Sequence, residues 1–145
     1  MAFITWTKEI TVTEEIDSQH RKLFDMCNEL HHSVTFGAER RTLAIGFSGM
    51  IDYTVEHFHT EERLFSATNY PDAAAHKKEH DELTETAVKL QQQFSEGNLV
   101  ISFDLLNFLY DWLMNHTSGS DKAFGAYLRE KGMVSAANGN QRIDP

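Results

Sequence analysis

Proline occurs in this 145-residue chain only at positions 71 and 145, so nothing blocks long helices on either side of residue 71. The apolar residues follow helical spacing. His20, Leu23, Phe24, Cys27, Leu30, His31 and Val34 fall on one helix face, with Asp17 or Ser18 as the N-cap and Gly37 as the terminator. A second helix is expected from about Glu39 to Ser66, turning Leu43, Phe47, Met50, Thr54, His57, Glu61, Leu64 and Phe65 inward. Gly46 and Gly49 on that helix read as points of close helix approach. Pro71 suits the first turn of a third helix, whose stripe is His76, His80, Leu83, Ala87, Leu90 and Phe94, ending near Gly97. A fourth begins around Ser102 and aligns Leu105, Leu109, Trp112 and His116. The run Thr117-Ser118-Gly119-Ser120 breaks or distorts it before Phe124, Tyr127 and Leu128 resume the pattern.

Residues 1–16, with Ile10 and Val12 alternating among threonines and Trp6 as an anchor, read as an arm. The expected fold is all-α: an antiparallel up-down-up-down four-helix bundle with the N-terminal arm packed on it. The bundle domain is expected over 1–134. The stretch 135–145 (SAANGNQRIDP) lacks periodicity and reads as a disordered tail or linker.

Charge removes several classes of function. Thirteen Lys and Arg face 22 Asp and Glu, a formal charge of −9, so no basic stripe serves nucleic acid or an anionic membrane surface. No apolar run approaches the roughly eighteen residues of a membrane span, and the N-terminus lacks a secretory signal pattern. Cys27 is the sole cysteine and closes no intrachain disulfide. A soluble cytoplasmic protein is expected.

Eight histidines are many for this length, and five of them (His20, His57, His76, His80, His116) sit on the apolar stripes. Burying five imidazoles in one small core is too costly unless they share a ligand, and a metal is the obvious candidate. His76 and His80 are one turn apart and can chelate one ion; His57 and Glu61 repeat that spacing. His116 and Asp121 are five apart, about 140° on a regular helix, but the break at Gly119 could swing Asp121 back. Five imidazoles and two carboxylates exceed the needs of one ion and suit two, if the carboxylates bridge. A dinuclear bundle site points to iron or manganese. The excess of histidine favours iron.

The pieces IDSQH (16–20), HFHTEE (57–62), HKKEH (76–80) and WLMNHTSGSD (112–121) resemble the hemerythrins, specifically their bacterial branch, over residues 3 to about 133. The resemblance implies reversible O2 binding at a non-haem di-iron centre, with an oxo or hydroxo group as a further bridge. By matching position, His76, His80 and His116 would hold one saturated iron. His20 and His57 would hold the other with one position open, and Glu61 and Asp121 would bridge. Leu23, Phe58 and Trp112 match the family's apolar O2-pocket positions.

Thr117 departs from the family, which usually has a large aliphatic residue there. Two consequences compete: its hydroxyl donates to the bound hydroperoxide, or the smaller polar side chain admits water and anions such as azide. The second is expected, because reversible binding needs a dry pocket. The remaining residues have plainer readings. His31 is expected to be half-buried or capped, His59 to point outward, and Cys27 to be a small core residue. Lys77, Lys78 and Glu79 read as a solvated face, and Glu62 as exposed. An O2 carrier, store or supplier, not an enzyme, is the leading function. The runners-up are an O2- or redox-sensing module coupled to an attached or partner signalling domain, and a di-iron peroxidase or oxidase.

Overall fold

The computed structural model describes residues 2–97, 101 and 103–133. Helix α1 spans Glu14–Thr35, α2 Arg40–Thr68, α3 Ala73–Ser95, α4 Phe103–Asn115 and α5 Lys122–Glu130. A π-helical segment, His116–Asp121, joins α4 to α5 into one rod, and a short 3-10 turn, Lys8–Ile10, precedes α1. Four antiparallel rods and a docked arm make the all-α bundle that the stripes predict. The stretch 135–145 lies outside the described residues. Among the described residues, no helix is long and apolar enough to cross a membrane.

Local chemistry moves some expected boundaries. Helix α1 starts at the Thr13 cap, whose side chain accepts the Ile16 N–H at 3.1 Å, and not at Asp17 or Ser18. Glu14, Glu15 and Asp17 in the first turn favour this earlier start through the helix dipole. Asp17 takes another job. Fully buried, it accepts the Val12 N–H at 2.7 Å and the Thr11 hydroxyl, tying the arm to α1. Pro71 stands in the turn before the Asp72 cap, one step short of the first turn of α3. At Gly37, φ is +70°, and the Ala38 N–H returns to Ser33 O at 2.9 Å, closing α1 with a left-handed cap.

The glycine that does mark close approach is Gly125. A Cβ there would lie 2.9 Å from Thr11 O and 3.3 Å from Val12 Cα, so the arm can lie flat on α5. Gly46 and Gly49 do not carry the role expected of them. Cβ atoms there would meet Leu30 and Met26 of α1 at 3.5 and 3.7 Å, ordinary contact distances.

The core has two apolar blocks. One contains Leu23, Phe24, Cys27, Leu30, Phe47, Met50, Leu106 and Leu113. The other contains Val12, Ile16, Phe65, Tyr70, Phe124 and Leu128. Along every rod the conspicuous polar residues fall between the two: His20 between Ile16 and Leu23, His57 and Glu61 between Ile51 and Phe65, His116 and Asp121 between Leu113 and Phe124. Helix α3 repeats the order, with Ala73 before His76 and His80, and Ala87 after them. The bundle thus seals a polar layer between two apolar plugs.

Candidate metal centre

His20, His57, Glu61, His76, His80, His116 and Asp121 are all buried in that layer. The first five arrive on α-helical faces, while His116 and Asp121 open and close the π-helical segment. The i→i+5 pattern of that segment brings residues five apart onto one face, which a regular helix would place about 140° apart. Gly119 and its polar neighbours therefore reshape the helix without ending it.

The seven donors form two groups: Glu61, His76, His80, His116 and Asp121, and His20, His57, Glu61 and Asp121. Within each, the ligand atoms lie within 4.8 Å of one another. Both carboxylates divide their oxygens between the groups. Glu61 Oε2 lies 2.9 Å from His57 Nε2, and Oε1 lies 3.0 Å from His80 Nε2 and 3.3 Å from His76 Nε2. Asp121 Oδ2 lies 2.8 Å from His20 Nε2, and Oδ1 lies 2.9 Å from His76 Nε2 and 3.2 Å from His116 Nε2. That split is the arrangement of carboxylates that bridge two cations.

Outer partners fix three of the rings. Carboxylates accept only, so Glu62 Oε2 at 3.0 Å from His80 Nδ1, and Glu79 Oε1 at 2.5 Å from His116 Nδ1, place a proton on each Nδ1. Gln19 Oε1 does the same for His57 Nδ1 at 2.7 Å, while Gln19 Nε2 donates to Thr60 Oγ1 at 3.1 Å. As neutral rings, all three then present lone pairs at Nε2. His80 Nε2 and His116 Nε2 stand 3.2 Å apart with Glu61 Oε1 beside them, an opposition of lone pairs that a cation relieves. Nε2 of His20, His57 and His76 and both Asp121 oxygens are buried without a hydrogen bond. Donor set and orphaned atoms both fit metal ions.

Without a cation the layer takes up protons. Burial alone would depress the imidazoles of His20 and His76, but the carboxylates of Asp121 and Glu61 overturn it and lift both to about 9. His116 is likewise raised well above its usual value against the effect of burial. His57 goes the other way, because burial outweighs its carboxylate neighbours. Glu61 and Asp121 are held below the usual carboxylate range by the imidazoles around them, although burial pushes both upward.

Aromatic rings wall the layer. Phe58 stacks on His80 with centroids 3.9 Å apart and meets His116 and Trp112 at 5.5 and 5.9 Å, so its closest ring contacts fall on the five-donor group. Trp112 lies parallel to His116 at 6.4 Å. Leu23 is buried one turn beyond His20. Thr117 is only 1% exposed, and its hydroxyl donates to Leu113 O at 2.7 Å, so its proton belongs to the helix. That arrangement weakens the hydroperoxide-donor role among the two expectations for Thr117.

His59 is exposed, His31 is half-buried against Phe3 at 4.3 Å, and Cys27 is a core residue whose thiol burial pushes up to about 12. Two expectations need correction. Glu62 is only 21% exposed and Glu79 37%, and both face metal-layer histidines, because a glutamate side chain reaches around the flank of its helix. Gln19 carried no signal beyond its place beside His20.

Fold and site together define a histidine-rich bundle able to hold a pair of metal ions. The family profile described as "Hemerythrin HHE cation binding domain" matches residues 11–128, and the chain belongs to the hemerythrin family. It is 38% identical over 130 residues to the bacteriohemerythrin of Methylococcus capsulatus (strain Bath), covering 88% of this chain and 98% of that one. The bacteriohemerythrin of Stenotrophomonas maltophilia is 34% identical over 130 residues, 89% and 84% of the two chains. A crystal structure of wild-type hemerythrin superposes with a TM-score of 0.80 at 38% identity, covering 86% of this chain and 97% of that one.

Proposed function

We propose that this chain binds O2 reversibly at a di-iron centre and is not an enzyme. The observation that carries the reading is the division of Glu61 and Asp121 oxygens between two groups of imidazoles. His76, His80 and His116 would hold one iron, His20 and His57 the other, and the two carboxylates would bridge. Bound there, a ferrous pair supplies the electrons that reversible O2 binding borrows and returns. The chain's part is to present neutral imidazoles, hold them in one tautomer through Gln19, Glu62 and Glu79, and keep bulk water out with two apolar blocks. Leu23, Phe58, Trp112 and Thr117 would wall the O2 site, and small anions such as azide would enter the same space. A cytoplasmic location agrees with the lone, buried Cys27, which needs no oxidising compartment.

The test is an optical titration of the reconstituted ferrous protein through repeated cycles of O2 and argon. A spectrum that returns on each cycle supports O2 binding. Steady consumption of an added reductant would point to oxidase or peroxidase chemistry instead.

A further inference from the structure

The three outer partners of the metal-layer histidines differ in charge. His57 leans on Gln19, a neutral amide, at 2.7 Å. His80 and His116, both in the five-donor group, lean on carboxylates: Glu62 at 3.0 Å and Glu79 at 2.5 Å. An anion hydrogen-bonded to Nδ1–H pushes electron density towards Nε2 and makes the imidazole a stronger donor, whereas an amide carbonyl does so weakly. One metal position is therefore backed by two carboxylates hydrogen-bonded to its rings; the other has an amide on His57, and the Asp17 carboxylate near His20 is bonded to the arm.

The carboxylates differ between themselves as well. Glu62 shares its charge with Lys77, whose Nζ lies 3.9 Å from Oε1. Glu79 is clamped instead by a hydroxyl, Ser120 Oγ donating to Oε2 at 2.6 Å, and Ser120 belongs to the π-helical segment that brings Asp121 into the site. Glu79 thus touches the segment on which both His116 and Asp121 depend. At 37% exposed, its side chain reaches water and can hold its charge there without the penalty of full burial.

We propose that Glu79, clamped by Ser120 and assisted by Glu62, is a positioning residue that makes the two metal positions electronically unequal. It stabilises the higher oxidation state at the position formed by His76, His80 and His116. Gln19 leaves the His20/His57 position the more easily reduced. This inference rests on the di-iron reading above.

The test compares parent protein with Glu79→Gln, Ser120→Ala and Gln19→Glu, all reconstituted with iron, measuring iron per chain and the reduction midpoint in a mediated optical titration. Glu79→Gln keeps shape and removes charge. It should raise the midpoint, favouring the reduced form by about tenfold, the lower end of what outer-partner removal does to metal sites. Ser120→Ala should move it the same way by less, and Gln19→Glu should move it in the opposite direction. Zinc-loaded protein, redox-silent and diamagnetic, gives a second readout: the downfield Nδ1–H proton resonance of His116 should move upfield in Glu79→Gln while that of His57 stays in place. A midpoint unmoved by Glu79→Gln at unchanged iron content overturns the proposal, as does an unmoved His116 resonance. A parent protein that fails to take up two irons overturns the di-iron reading instead, and the zinc spectrum still judges the Glu79–His116 bond separately.

Discussion

Glu61 and Asp121 are the residues on which the pairing of metal ions depends, since each faces both groups of imidazoles. Glu61→Ala and Asp121→Ala should each leave well below the parent's content of about two irons per chain. His59→Ala, at an exposed position two residues from Glu61, should leave it unchanged. A metal assay on the three variants decides this, and iron loss in His59→Ala equal to that in Glu61→Ala would contradict the helix register. At Thr117 the buried hydroxyl already donates to Leu113 O, so what distinguishes threonine from an aliphatic residue is its smaller bulk and an oxygen able to hold water. Thr117→Ile should therefore slow both autoxidation and azide entry, followed optically after mixing the ferrous protein with O2 or the oxidised protein with azide; unchanged or faster rates would count against this role. Six of the seven donors are legible because each stands on an apolar stripe, where an unpartnered polar group is conspicuous; Asp121, five residues after His116, is reached only by allowing for the break at Gly119. Gln19, Glu62 and Glu79 are not legible, because they sit on the flanks of those stripes, where polar residues are usual and only the distance to a neighbouring helix reveals a partner.

The π-helical segment His116–Asp121 is the element that turns a five-residue spacing into a shared face. Deleting Ser118 would remove the extra residue that the widened turn accommodates and let α4 and α5 run on as one regular helix, with Phe124, Gly125 and Leu128 near their present faces. Phe124 and Leu128 are fully buried and would keep their packing, so unfolding by urea should show far less loss than truncating either side chain, which costs several kcal/mol. Gly119→Ala, with open space around its Cβ, should change stability by no more than about 1 kcal/mol. Gly125→Ala drives a Cβ to 2.9 Å from Thr11 O and should cost about 1–3 kcal/mol by lifting the arm from α5. Equal stabilities for the two glycine variants would contradict the close approach. In the sequence the segment showed only as an interruption: Thr-Ser-Gly-Ser weakens an α-helix, but no periodicity tells a break from a widened turn. The start of α1 is hidden for a related reason: alternating threonines and apolar residues extend the expected arm over 1–16, three residues past the Thr13 cap.

Across the whole molecule, the polar layer ties folding to protons and to metal. In the metal-free protein His20 and His76 stand at about 9 against 6.5 in the unfolded chain, so their stabilisation is full below pH 6.5 and is lost as pH rises towards 9. Glu61 and Asp121, depressed by the same contacts, contribute above their usual values of 4.5 and 3.8 and lose that contribution as the solution is acidified further. His57, held down by burial, opposes folding as pH falls below 6.5. Thermal unfolding of the metal-free protein should therefore show stability falling between pH 6.5 and 9. Metal loading at pH 7 should expel protons from His20, His76 and His116, which calorimetry in buffers of different ionisation enthalpy reads directly; loading without proton release would contradict the charge state assigned to the layer. The bundle as a whole was readable from helical stripes and short connections, because both are local properties of the chain. Di-iron O2 binding is tested directly by loading the protein with ferrous iron under argon, counting the iron, and following the optical spectrum through cycles of O2 and argon. About two irons per chain and a spectrum that returns on every cycle are the predicted result; one metal per chain, or irreversible oxidation on first exposure, would contradict it.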